Sequence, residues 1–350
     1  MQAIFQKKTT KYLLTTLRFI LPAIILVIIF RQIDLVTLKS YISRTDIRWA
    51  IIGIAYCPIV VLIGGIRWET ITREYFRKKL SVGFFLRHYW IGLTLGFFAP
   101  ASLGWDVYKI AVAGRKYGNY LRNTAAIIIE KIMAFLSICF LIVILFPFVS
   151  KYVRDNSEFV QYISQTAGYI LFILVAAIFC LALLTKHRFI LWIDGRVNSI
   201  VKQIYVKVLK MSKRSDVSTD VNISFLKLLS PLTDPFPLLK IIVLSLAIQI
   251  VSAIGNQILF RAVGYPIPVM VNLFLCPIFF FIFILPISFG SIGIREGAYI
   301  LLYGFFGVPQ EIALLVSFLN FGGIILNQII GALLITTCNG LEKDMIFKRT

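Results

Sequence analysis

The chain has 350 residues, of which 59% are hydrophobic and 15% charged, and its formal net charge is +20. Soluble domains carry roughly 45–50% apolar and about 25% charged residues, so a water-soluble fold would lack the polar groups to cover its surface. The surplus apolar surface is expected to face lipid. The basic excess then belongs to cytoplasmic loops and to anionic lipid headgroups, not to nucleic acid, because no basic stripe falls on a soluble module.

A bilayer-spanning helix needs ~17 to 25 mostly apolar residues. Six runs qualify: residues 12–30, 49–66, 125–149, 167–185, 238–260 and 311–337. The first follows Lys7, Lys8 and Lys11 and ends at Arg31 without a small-residue cleavage site, so it reads as a retained span and not as a signal peptide. After the second run come Arg67, Arg73, Arg77, Lys78, Lys79 and Arg87 against Glu69 and Glu74, which predicts a cytoplasmic loop.

Residues 89–103 are apolar but run into a Pro/Ser/Gly cluster, and Lys109, Arg115, Lys116 and Arg122 follow against Asp106. A crossing there would place that basic segment outside. The charge pattern predicts instead a dip that returns to the same side. The loop at 150–166 is neutral and expected outside, whereas 186–237 carries nine basic residues against four acidic and is expected inside. Its first part repeats Ile190, Ile193, Val197, Ile200, Ile204 and Val208 at helical spacing, as an amphipathic surface helix or an extension of the preceding span would. Residues 269–306 form a second predicted dip, entered from outside.

The two dips share a motif. Pro100, Ser102, Gly104 and Lys109 match Pro286, Ser288, Gly290 and Arg295 in the pattern P-x-S-x-G-x-x-x-x-[KR], and Gly118 and Gly304 share an offset from the proline. The flanking spans come in the same order but opposite direction. The expectation is an all-α polytopic membrane protein of about six spanning helices plus two re-entrant broken-helix hairpins in an inverted repeat. It forms one transmembrane domain over 1–350, with a first repeat at about 49–149, a second at about 238–337 and a basic cytoplasmic segment at about 186–237. Both termini are predicted to be cytoplasmic, in a multi-pass protein of the cell membrane.

Proline removes an N–H and glycine accepts unusual dihedrals, so each motif breaks a helix. The freed backbone groups must be buried in protein or line a wet cavity. A helix that restarts there turns its positive end towards that cavity, which favours an anion. Lys109 and Arg295 are read either as cations reaching a phosphate-bearing headgroup or as snorkelling side chains. Glu130, followed by Lys131, is functional or the partner of a basic residue. Asp106 caps the restarting helix or orients Lys109, and Glu296 is the local partner of Arg295. Arg67-Trp68 reads more simply as an interface anchor. Gln249, Asn256, Gln257, Asn320, Asn327 and Gln328 line a polar path or join helices. The candidate substrate-binding set is thus Pro100, Ser102, Gly104, Asp106, Lys109, Glu130, Pro286, Ser288, Gly290, Arg295 and Glu296. The five cysteines form no CxxC, and neither a metal site, a cofactor motif nor a soluble catalytic constellation is legible.

The stretches PASLGWDVYK and LPISFGSIGIREG, with Glu130-Lys131 between them, resemble the lysylphosphatidylglycerol synthase transmembrane-domain family, often called flippase-like, over roughly residues 10–340. The resemblance implies movement of a modified lipid across the membrane, by a domain found alone or fused to a cytosolic aminoacyl-transferase. The family often has Gly-Gly-Asp where this chain has Gly104-Trp105-Asp106, and Gly-Gly where it has Gly290-Ser291. A bulky Trp105 at the break is expected to narrow the cavity. The function expected is that of a lipid flippase or scramblase acting on an anionic or aminoacylated lipid, with membrane lipids as partners. A membrane-embedded enzyme or a partner subunit of a lipid- or glycan-modifying pathway is the alternative. A transferase partner and a homodimer are both compatible with the sequence.

Overall fold

Four helices of 27 to 30 residues are the first consequence of the apolar runs. At 1.5 Å per residue each is about 40–45 Å long, more than the ~30 Å hydrocarbon core. In the computed structural model the described residues are 20, 22–77, 79–97, 103–153, 234–283 and 289–338. They hold ten α-helices and two 3-10 turns: α1 (Pro22–Gln32), α2 (Leu35–Arg44), α3 (Ile47–Phe76), α4 (Val82–Phe97), α5 (Leu103–Tyr117), α6 (Tyr120–Val149), α7 (Pro235–Ala262), α8 (Val269–Phe283), α9 (Ile294–Gly304) and α10 (Gln310–Thr336), with turns at Ser150–Tyr152 and Phe289–Ser291. No strand occurs among them. The expected fourth span, the basic segment up to residue 233, the N-terminal lysines and the Pro-Ser positions of both motifs lie outside the described residues.

Local sequence sets the helix ends. Asp46 caps α3 by accepting from Arg48 N–H at 2.9 Å, Asn119 caps α6 by accepting from Arg122 N–H at 3.1 Å, and Asp234 caps α7 ahead of Pro235 at its first position. The long helices α3, α6, α7 and α10 match the second, third, fifth and sixth predicted spans. Each leaves large apolar side chains exposed, among them Ile52, Phe148, Val243 and Leu333, which a bilayer would cover.

Between the long helices, α4, α5, α8 and α9 have 16, 15, 15 and 11 residues, roughly 17–24 Å each, so none crosses alone. They pair instead as antiparallel hairpins. In the first, Phe85 stacks on Tyr117 at 5.7 Å, His88 Nδ1 lies 2.7 Å from the Tyr108 hydroxyl, and Gly96 faces Trp105. In the second, Asn272 accepts from the Tyr303 hydroxyl at 2.6 Å, Phe279 stacks on Tyr299 at 4.4 Å, and the Ser291 hydroxyl donates to Phe283 O at 3.3 Å. Partners far from the break on one arm meet partners far from it on the other, which is the geometry of an antiparallel hairpin.

The two halves embrace each other. α3 packs along α7, α4 lies on α10 and α8 lies on α6. Exchanging α3–α6 with α7–α10 maps the α3–α7 pairing onto itself and the α4–α10 pairing onto that of α8 with α6. Small residues permit the closest approach: the Tyr56 ring sits directly over Gly255, and Leu259 over Gly53.

Candidate functional site

A cavity of about 630 Å³ opens between the halves. Its wall takes Arg67 from α3, Gly96 and Phe97 from the end of α4, Trp105 from the start of α5, Glu130 and Lys131 from α6, Gly290 and Arg295 from the second break, and Asn327 and Gln328 from α10. The ends of both hairpins therefore meet at one space. They also touch directly, because the Phe97 ring rests against Gly290, where an added methyl would come within 2.7 Å of it.

One pole of the cavity is an ion cluster. Glu130 Oε1 lies 3.2 Å from Arg67 Nη2, and Glu130 Oε2 lies 2.8 Å from Lys109 Nζ. Lys131 Nζ is 3.1 Å from Asp106 Oδ2, and Lys109 is 3.8 Å from Asp106 Oδ1. Arg67 Nη1 also donates to the Ser245 hydroxyl at 3.2 Å. Three cations thus share two carboxylates, leaving one positive charge in excess. Aromatic rings complete the enclosure: Lys109 Nζ is 5.4, 5.1 and 4.8 Å from the ring centres of Trp68, Tyr89 and Trp105. Trp105 itself is seated on Gly92 and Gly96 and lies 5.4 Å from Lys131 Nζ.

The other pole is Arg295, which is 1% exposed. Its Nη2 donates to Gly290 O, and its guanidinium lies 4.6 Å from the Phe321 ring centre. Nη1 is 4.0 Å from Glu296 Oε1, too far for a hydrogen bond, and Nε and Nη1 have no acceptor. Glu296 is occupied elsewhere: its Oε2 accepts from Gly293 N–H at 2.6 Å and its Oε1 from the Ser317 hydroxyl at 3.5 Å. The break is left-handed at Gly290 (φ 57°), Ser291 (φ 60°) and Gly293 (φ 80°), and Gly293 is pressed against Pro22 of α1.

The sequence candidates divide accordingly. Glu130, Gly290 and Arg295 line the cavity. Asp106, Lys109 and Glu296 stand behind the wall, each tied to a neighbour described above. Gly104 is half-buried at the start of α5. Pro100, Ser102, Pro286 and Ser288 lie outside the described residues. Trp105 does reach the cavity wall.

Arg67-Trp68 is not an interface anchor. Both side chains are buried, at 5% and 0% exposure, because Glu130 supplies the counter-charge and Phe85 packs edge-on against Trp68 at 4.6 Å. Nothing local announced this, since Glu130 is 63 positions away. Gln249, Asn320, Asn327 and Gln328 line the cavity. Asn256 and Gln257 join helices instead, Asn256 accepting from Tyr299 and Asn320, and Gln257 accepting from Asn272 at 2.6 Å.

Comparison with known proteins yields a family model described as the lysylphosphatidylglycerol synthase TM region, which matches residues 13–326. No curated protein and no solved structure matches the chain. The chain belongs to the lysylphosphatidylglycerol synthase transmembrane-region family and is a multi-pass integral membrane protein.

Proposed function

We propose that this member of the family moves a lipid between leaflets, its headgroup passing through the cavity between the two hairpins while the acyl chains stay in the bilayer. The cargo class is an anionic or aminoacylated phospholipid. The observation that carries this reading is the meeting of both hairpin ends at one space, with the Arg67–Glu130–Lys131 cluster on one wall and Arg295 on another. Broken helices facing each other across a repeat interface are how many transporters place their substrate site. In the same reading, α3–α6 and α7–α10 are inverted repeats in the cell membrane, with both termini on the cytoplasmic side.

The test is reconstitution. Purified protein in liposomes is expected to expose fluorescent phosphatidylglycerol or lysylphosphatidylglycerol from the inner leaflet to a membrane-impermeant quencher. Folded protein that moves no lipid across a broad panel would sink the reading. The family's description as the membrane region of a synthase supports a second reading, in which the chain delivers lipid to or from a lipid-modifying enzyme. Movement that depends on adding such an enzyme would favour it.

A further inference from the structure

The polar groups around the cavity are not balanced. Glu130 is the one carboxylate among the described lining residues, and its two oxygens are held by Arg67 and Lys109. Asp106, just behind the wall, is taken by Lys131, and Glu296 by the Gly293 N–H. Among the described lining residues no carboxylate is left for an incoming cation; behind the wall, Asp106 Oδ1 has only Lys109, at 3.8 Å. The aromatic faces of Tyr89 and Trp105, which would suit an ammonium ion, already face Lys109 and Lys131.

On the wall itself the buried groups still seeking partners are mainly of the opposite kind. Arg295 Nε and Nη1 and Trp105 Nε1 are donors without acceptors. The unsatisfied acceptor on the wall is Gln328 Oε1, a neutral amide that can turn either its oxygen or its nitrogen to a ligand. Buried donors of this sort cost free energy until an acceptor arrives, and a charged acceptor repays most.

We infer that the cavity takes a phosphate-bearing headgroup of net negative charge and discriminates against the aminoacylated form, whose free ammonium groups would meet Arg67, Lys131 and Arg295 with no carboxylate to receive them. This rests on the cavity being the lipid site, and it narrows that reading to one headgroup class. Phosphate oxygens would accept from Arg295, and the excess positive charge of the ion cluster would be neutralised from across the cavity.

The experiment is a binding comparison on purified full-length protein in neutral detergent, with short-chain phosphatidylglycerol and lysylphosphatidylglycerol of equal chain length, read by titration calorimetry or native mass spectrometry. Phosphatidylglycerol is expected to bind at least tenfold more tightly. Gln328→Glu, which adds a carboxylate to the wall, is expected to narrow that ratio at least threefold or to invert it. Arg295→Gln is expected to weaken phosphatidylglycerol tenfold and to change the lysyl form little. Equal or tighter binding of the lysyl form, binding of neither lipid, or an unchanged ratio in Gln328→Glu overturns the inference. If Arg295→Gln does not fold, Gln328→Glu decides. Leaflet movement is scored separately: preferential binding without movement removes the transport reading and leaves the selectivity, whereas equal binding with movement does the reverse.

Discussion

Glu130 on α6 holds Lys109 of α5 at 2.8 Å, and in doing so it withdraws that lysine from the cavity whose wall Glu130 itself helps to form. The motif places Lys109 and Arg295 at equivalent positions. The fold makes them unequal: one is neutralised and ringed by aromatic side chains, the other keeps two unpaired donors.

Glu130 is therefore expected to matter for stability. Glu130→Ala leaves Arg67 and Lys109 buried without their shared carboxylate, and removing one partner from such a cluster costs about 3–5 kcal/mol. The melting temperature in detergent should fall sharply. Adding Lys109→Met should recover part of the loss, because an apolar side chain of similar length suits the Trp68, Tyr89 and Trp105 rings.

Arg295→Ala is expected to behave differently. Its loss frees the carbonyl of Gly290, a residue of the cavity wall, while Glu296 keeps its bonds to Gly293 and Ser317. Lipid movement should fall tenfold or more with little change in melting temperature. Normal movement by this variant would remove Arg295 from the site.

Gly290→Ala tests the contact between the hairpins. Alanine at φ 57° costs about 1–2 kcal/mol on dihedral grounds, and its methyl would lie 2.7 Å from the Phe97 ring. Combining it with Phe97→Ala should relieve the collision and leave the dihedral share. A thermal-unfolding double-mutant cycle should therefore show a non-additive pair.

Gly255→Ala and Gly322→Ala make a contrasting pair on long helices. A methyl at Gly255 would collide with the Tyr56 ring, whose hydroxyl accepts from Asn320 at 2.5 Å, and overpacking of this kind costs about 1–3 kcal/mol. At Gly322 the nearest atom is the end of the flexible Ile54 side chain at 3.4 Å. Gly322→Ala should be nearly neutral in the same melt.

Apolar run length by itself determined where the long helices lie, because an uninterrupted hydrophobic stretch has few other stable states in a bilayer. Loop charge and the proline-glycine breaks were enough to predict two dips, and α4–α5 and α8–α9 are antiparallel hairpins. That much is written locally, as hydropathy and backbone chemistry.

The division of roles around the cavity is not local. Arg67 read as an anchor because its counter-charge on α6 is 63 positions distant. Lys109 and Arg295 read as a matched pair because nothing in the motif says that Glu130 stands beside one of them. Gln249, Asn327 and Gln328 line the cavity while Asn256 and Gln257 bond helices, a distinction set by which way each helix is turned. Coulombic pairing and donor satisfaction act over a few ångströms of space, and only the packing of α3–α6 against α7–α10 decides which residues come within that reach.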